Sequence, residues 1–447
     1  MLVMRLRRFS TQPNFVARPT TNHYTSSLYM CPLPITREPE LVRDFIDDCL
    51  YHPSYGYFCR NQGPILPITR PITQILSSMK NQEEYNQYLK ALYASANAAI
   101  GVSNELPPSW HTPSELFRPI YGHAIARFLL HRLLPQLPLV IYELGPGTGS
   151  LAEGILDFLQ SEAPQVYSTC EYHLVDISPT LRRAQLQRLA AKHGGVLRNA
   201  SGASLETMQD SRACWVVGCE VLDNMPHDCI KYDSATGELL EGIVLTNDSA
   251  PFSAVPSRNW LEFRPVRDRL LLELVNVLDA VGHVSPSLTG HSLGRALERY
   301  SPIPYLNPKG CEFVPTTAFK LLKTLTARFP RHSALFVDFH ALPDRIPFGH
   351  NAPVVQTVYR GETVACSTFL LRRGYFDIFF STNFALIGKI HGSLSPERRC
   401  TFTQRHGDFL RHHASVAEVG ATSTKSGYNP MLHDFENVSV YVNEPIK

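Results

Sequence analysis

The 447-residue sequence has no long apolar run. Nothing in it approaches the roughly 18 consecutive apolar residues that a membrane-crossing helix needs, so no span is expected. A dominant charge is also missing. Lys plus Arg number 42 against 40 Asp plus Glu, which leaves no dense basic face of the kind that nucleic acid selects. The ten cysteines include no CxxC pair, and no histidine doublet stands at zinc-ligand spacing beside the closest two, Cys214 and Cys219. A resident metal is therefore not expected, and the thiols read as reduced and mostly buried. The sharpest absence is local. Residues 1–37 contain no Asp or Glu, while Arg5, Arg7, Arg8, Arg18 and Arg37 are basic. An acid-free, Arg-rich leader without an apolar central stretch excludes a secretory signal and fits a mitochondrial import segment over residues 1–30, with matrix localisation as the expectation. A basic tail is the bland alternative.

What is present argues for a large core. Hydrophobic residues make up 44% and aromatics 10%, enough for one elaborated domain or a few smaller ones. In Glu38 to Pro53, Leu41, Val42, Phe45, Ile46, Cys49 and Leu50 recur at helical spacing, and Pro53 ends the run. A polar insertion follows at 61–110, with a short helix around Gln82 to Ala98. Helix resumes over Ser114 to Leu134, with Ser114 as its expected cap. The whole of 31–135 thus reads as a helical N-terminal region.

Strand and helix patterns then alternate, the mark of an α/β fold with a mainly parallel, doubly wound sheet. LVIYEL (Leu139 to Leu144), YHLVDIS (Tyr172 to Ser178) and ACWVVGCEVL (Ala213 to Leu222) are strands, separated by the helices SLAEGILDFLQ and PTLRRAQLQRLAAKH. They form the first half of the sheet, over 136–232. In the insertion region, 233–330, a hairpin that begins in the preceding strand turns at Thr236 and Gly237, and one helix over Val266 to Val281 stands among polar loops. The remaining strands and a C-terminal extension occupy 331–447, with SALFVDF (Ser333 to Phe339) and FDIFFSTNFALIGKI (Phe376 to Ile390) as strand, then strand plus short helix.

The chemistry gathers at YELGPGTGSL, where Gly145, Gly147 and Gly149 alternate after a strand and before a helix. Glycine lets the backbone approach a ligand. Two cofactors compete for such a loop. A dinucleotide wants GxGxxG or GxGxxA with its phosphate on the helix N-terminus, but Ser150 occupies the third required position. Glu143, two residues ahead of Gly145, opposes a phosphate and suits the amino group of S-adenosylmethionine. Asp176, at the end of the second strand, can accept two ribose hydroxyls, with Ile177 beside it as a further cofactor contact. Glu220, Asp223 and Asp228 stand at the end of the third. The plain alternative for Glu143 and Asp176 is an exposed strand-end acid.

Taken in order along the chain, LVRDFIDDCLYHPSYGYF, TPSELFRPIYGHAIA, ELGPGTGSL, HLVDIS, CEVLDNMPHD, VDF and GYFDIFF resemble the mitochondrial arginine methyltransferase family that acts as an assembly factor for respiratory complex I, with its bacterial relatives. The resemblance implies a Rossmann-like class I methyltransferase using S-adenosyl-L-methionine, whose acceptor is an arginine of a complex I subunit and whose product is symmetric dimethylarginine. On the matching positions, Glu220 and Asp223 would face the guanidinium, with Asp377 and Asp338 as supporting acids. Glu220 reads equally as a cofactor contact, and Asp223 equally as a cap for a following helix. Tyr375, Phe376, Phe379 and Phe380 read as a stacking slot or, more plainly, as aromatic core. Thr148 departs from the family's usual arginine, and Phe339 from its tyrosine. A scaffold without turnover and a methyltransferase for another acceptor are the competing functions.

Overall fold

Short apolar runs bounded by Gly, Pro or polar clusters become the buried strands. They are Val140–Leu144 (β1), Glu171–Val175 (β2), Leu197–Asn199 (β3), Cys214–Cys219 (β4), His332–Phe339 (β5), Arg399–Arg405 (β6) and Val438–Pro445 (β7). The computed structural model describes residues 37–60, 71–99, 112–199, 205–233, 236–247, 258–283, 311–342, 345–346, 351–359, 362–397 and 399–446. The expected import segment lies outside them. The strands form one seven-stranded sheet in the order β6-β7-β5-β4-β1-β2-β3. β3, β2, β1, β4 and β5 are mutually parallel, β7 runs against β5, and β6 against β7. From β1 the chain winds outward through β2 and β3, then returns to β4 on the other side of β1. That reversal opens a crevice beyond the C-terminal ends of β1 and β4.

Alternate side chains of each strand feed opposite faces. Ile141, Trp215, Val217, Leu335 and Val337 pack with helices Ile120–Arg132, Ser150–Glu162 and His406–His413. Val140, Tyr142, Val216 and Phe336 pack with helices Arg269–Ala280, Thr316–Arg328 and Phe384–Leu394. The helices numbered below are, in chain order, α1 (Val42–Tyr51), α2 (Ile120–Arg132), α3 (Ser150–Glu162), α4 (Pro179–His193), α5 (Arg269–Ala280), α6 (Thr316–Arg328), α7 (Phe384–Leu394) and α8 (His406–His413); the expected helix in the polar insertion is Gln82–Ala99. The α2–α3 crossing needs Gly122, because a Cβ there would lie 2.7 Å from the Gly154 Cα.

A second, antiparallel sheet joins Glu40–Leu41, Leu239–Asn247, Asp228–Tyr232, Cys311–Val314 and Arg258–Pro265. Against it packs α1 through Phe45, Ile46 and Leu50. Arg43 fastens the helix to Asp228 at 2.6 Å and to Asp268 at 2.7 and 2.9 Å, and Arg373 grips the helix's own Asp48 at 2.6 Å together with Glu40 just before it.

Several expectations need correction. Thr112, not Ser114, caps a separate helix Pro113–Leu116, and α2 begins only at Ile120. The residues before α5 are a strand, Arg258–Pro265, and Asp268 caps α5 from Arg269. Charges in that strand hid it, yet Arg264 pairs with the fully buried Glu241 opposite at 2.8 Å. Residues beyond Ile390 contribute two strands of the main sheet, β6 and β7. Asp377–Phe379 instead joins a three-stranded sheet with Val354–Tyr359 and Glu362–Cys366. Part of the polar insertion is core, since Ile72, Leu76 and Tyr85 are buried against the main sheet's helices. Most of the described cysteines are buried. Among the described residues no helix is long and apolar enough to cross a membrane.

Two fully buried histidines join the start of β5 to α7. His332 and His391 place their Nε2 atoms 2.8 Å apart, His332 Nδ1 lies 2.6 Å from the Phe329 carbonyl, and His391 Nδ1 lies 3.2 Å from the Tyr441 hydroxyl. One ring donates across the pair and the other accepts, which requires at least one of them to be neutral. Burial, with the positive charge of Arg399, pushes His332 down from 6.5 to about 4, and burial depresses His391 as well. The unfolded chain takes up protons here below its ordinary value and the folded chain does not. The pair's contribution is therefore complete above pH 6.5 and is lost as pH falls toward 4. Urea titrations at pH 7 and pH 5 should show a steeper loss of stability for wild type than for a His332→Gln, His391→Gln double variant; equal losses would remove the pair as the cause.

Candidate functional site

The glycine loop leaves β1 under constraint from both neighbouring strands. Gly145 N–H donates to the Val175 carbonyl of β2 at 2.9 Å, and a Cβ on Gly145 would meet Val221 Cγ2, beyond β4, at 3.2 Å. Gly145, Gly147 and Gly149 have φ of 59°, 55° and 86°, the left-handed region that side chains disfavour. The loop is thus a bare backbone cradle that runs directly into α3.

The entrance of α3 already holds an anion. Glu115, buried on the helix Pro113–Leu116, accepts from the Thr148 hydroxyl at 3.0 Å and from the Ser150 hydroxyl. Arg188 of α4 reaches Glu115 at 3.3 Å and Thr148 Oγ1 at 3.0 Å. An arginine therefore stands beside Thr148 although none occupies that position in the loop. Glu115 thus takes the hydroxyl donors at this helix end that a pyrophosphate would use, while Arg188 and Arg118 balance its charge.

The two acids expected on the cofactor side, Glu143 and Asp176, are both buried beside the cradle. Glu143 is 3% exposed, and its Oε2 accepts from the Tyr172 hydroxyl at 2.7 Å. Burial pushes it up to about 8 against the Tyr172 hydrogen bond, with Asp176 adding to the rise. It is no exposed strand-end acid. Asp176, just past β2, is also buried, and it accepts from Ser178 N–H and from Gln185 Nε2, both at 2.8 Å. The same Gln185 nitrogen donates to the Gly147 carbonyl at 2.8 Å, so one amide ties the second acid to the loop. Ile177 beside Asp176 is 47% exposed, an apolar surface of the kind a purine ring covers.

On the far side of the crevice the turn after β4 carries the other acids. Asp338 closes β5 and accepts on Oδ2 from Val221, Leu222 and Asp223 N–H at 3.2, 2.7 and 3.1 Å, and on Oδ1 from Phe339 N–H at 2.7 Å. Glu220, half-buried, is held with φ at 53°. Asp223 is completely buried, and neither of its carboxylate oxygens has a hydrogen-bond partner. Burial, with Asp338, Glu220 and Asp377 nearby, pushes it well above the carboxylate range. Burial also lifts Glu220 to about 7 and Asp377 to about 6, the latter opposed by a 3.1 Å bond from Asn224 Nδ2.

The four acids expected at the acceptor side, Glu220, Asp223, Asp338 and Asp377, are brought together, but in unlike states. Asp338 is saturated by backbone N–H groups, and Asp223 is bare. No helix follows Asp223, which removes the capping alternative. Asp228 belongs to the strand Asp228–Tyr232 and pairs with Arg43, so it is not a mouth acid. Phe379 and Phe380 are buried core, and Phe380 stacks on His227 with centroids 3.9 Å apart. Among the described residues no group of His, Cys, Asp or Glu is arranged to hold a metal ion. Reading the sequence missed Glu115, Tyr172, Gln185, Asn224 and Tyr51, whose hydroxyl donates to the Asn224 carbonyl at 3.1 Å. Only long-range contacts reveal them.

The family model for the S-adenosyl-L-methionine-dependent methyltransferases matches residues 124–395, more than half of the chain. A Schizosaccharomyces pombe protein described as a mitochondrial protein arginine methyltransferase NDUFAF7 homolog is 22% identical over 338 residues, 70% of this chain. The chain spans 66% of that relative's length, just under two thirds. A Burkholderia thailandensis structure described as a methyl transferase bound to S-adenosyl-homocysteine superposes with a TM-score of 0.56 at 17% identity, covering 91% of this chain and 88% of its own. A second from the same organism, an uncharacterised protein, gives 0.51 at 20% identity, covering 85% and 95%. The chain belongs to the S-adenosyl-L-methionine-dependent methyltransferase family, and S-adenosyl-L-methionine is its cofactor.

Proposed function

We propose that the protein is a Rossmann-like class I enzyme that methylates arginine side chains of a protein substrate to symmetric dimethylarginine, in the mitochondrial matrix, on a subunit of respiratory complex I. The observation that carries the acceptor reading is the bare Asp223 carboxylate, buried beside Glu220 and Asp377 across the crevice from the glycine loop. Burial and its acidic neighbours keep Asp223 protonated in the free protein, and a guanidinium beside it would stabilise its anion. The arginine methyltransferase description of the fission-yeast relative supports the same acceptor, and its mitochondrial description supports the location.

The residues fit the cofactor. Gly145, Gly147 and Gly149 would pass its methionine part, Glu143 would face its ammonium, and Asp176 with Ile177 would take its ribose and adenine. When bound it supplies an electrophilic methyl group on a sulfonium. The protein's task is then to orient the acceptor. Arginine remains protonated near neutral pH, so the attacking nitrogen must expose a lone pair as its proton leaves. Asp223 pairs with the guanidinium nitrogens that do not react, which draws positive charge away from the attacking one and fixes its line of approach. Glu220, lifted to about 7 mainly by burial, is placed to take the departing proton at its carboxylate. Asp377 and Asp338 hold the turn and its charge.

Mass spectrometry of arginine peptides after incubation with protein and cofactor tests the activity. Methylation confined to another residue type would overturn the arginine reading, and an unchanged complex I methylation pattern in cells lacking the protein would overturn the partner. Asp223→Asn is expected to lower the transfer rate by about a hundredfold or more while cofactor affinity changes less than about threefold. Glu143 is mostly neutral at pH 7 in the free protein, and pairing with an ammonium demands its anion. Cofactor affinity should therefore fall as pH drops below about 8, with a proton released from Glu143 on binding at pH 7. Calorimetry at pH 7 in buffers of different ionisation enthalpy checks this, and Glu143→Gln should abolish the buffer dependence and weaken binding at least about tenfold.

A further inference from the structure

The turn that carries Asp223 is held by Asp338 on one side and by the N-terminal helix on the other. Tyr51, the last residue of α1, spends its O–H on the Asn224 carbonyl, and Asn224 passes the link on through its side-chain amide to Asp377 Oδ1 and the Ile378 carbonyl, both at 3.1 Å. Phe380 N–H donates to the Asp223 carbonyl at 2.7 Å. The backbone on both sides of the bare carboxylate is thus fixed, and the carboxylate itself is free for a ligand.

Tyr51 is a rigid point from which to hold that turn. Its ring stacks on Phe58 with centroids 5.5 Å apart, and the helix behind it is clamped by the Arg43 and Arg373 ion pairs. Burial and the carboxylates of Asp223, Asp47 and Asp377 keep the phenol protonated, so it remains a donor. Packing of α1 relies on Phe45, Ile46 and Leu50 and does not need the hydroxyl.

We propose that Tyr51 is a positioning residue for methyl transfer: by holding the Asn224 carbonyl it sets the direction in which Asp223 meets the acceptor, which makes the N-terminal helix a wall of the acceptor site. The inference rests on the acceptor reading given above for Asp223. Its reach is specific. A phenylalanine preserves the ring and the stacking but releases the turn, so the acceptor should still bind while its alignment is lost.

Tyr51→Phe is therefore expected to keep cofactor affinity within about twofold and KM for an arginine peptide within about threefold, and to lower kcat by about tenfold. Asn224→Ala should show a similar loss, and the double variant should be no worse than the poorer single one, because the two residues form one link. In the cofactor-free protein, amide hydrogen exchange of residues 220–226 should quicken by about fivefold in Tyr51→Phe while α1 keeps its protection. An unaltered kcat, unaltered exchange in 220–226, or a loss explained by weakened cofactor binding or exposure of α1 would overturn the proposal. If wild type methylates no arginine peptide, the functional reading fails on its own, and exchange at 220–226 still decides whether Tyr51 holds the turn.

Discussion

One buried carboxylate organises the mouth of the sheet. Asp338 accepts backbone N–H groups from Val221, Leu222, Asp223 and Phe339. Burial disfavours its charge and the four donors favour it, and the balance leaves it lifted to about 7. The consequences run outward from this knot. A turn wrapped on Asp338 puts Glu220 in left-handed backbone and sets Val221 against Gly145, where a side chain would lie 3.2 Å from Val221 Cγ2. The glycine at position 145 is thus required in part by the turn after β4, and the two sides of the crevice are built against each other.

The acids around this knot differ by what they are bonded to. Asp176 and Asp338 have their oxygens on N–H donors, Glu143 has a tyrosine hydroxyl, Glu115 has two hydroxyls and a guanidinium, and Asp223 has no partner. The bonded acids shape backbone, and the bare one ionises only when a cation comes beside it. Leaving a carboxylate buried and unpaired costs free energy, so its persistence at the end of β4 is the kind of local strain that functional sites store.

Much of the fold was legible because it is written in local period. The buried runs of β1, β2, β4 and β5 and the amphipathic spacing of α1 and α3 announce themselves within windows of a few residues. Arg258–Pro265 did not, because its charged residues are satisfied by a partner strand and not by solvent, as with Arg264 and Glu241. β6, an edge strand with largely exposed residues, lay within the C-terminal extension and carried no buried apolar run to announce it. Cap choice at Thr112 over Ser114 turned on which hydroxyl meets the Glu115 amide, at 3.3 Å, a detail of backbone geometry.

By itself the sequence determined the α/β alternation, the glycine cradle with Glu143 and Asp176 around it, and from these the methyltransferase family and its cofactor. Those features depend on residue types at short spacing, since a strand, a left-handed glycine and a strand-end acid are all set within one stretch of chain. Only the tertiary structure decided which acids are spent and which remain open. Asp338 meets Asp223 across 115 positions and Tyr51 meets Asn224 across 173. Whether a carboxylate is saturated or bare depends on which donors the folded chain brings to it, and that information is not present in any local window.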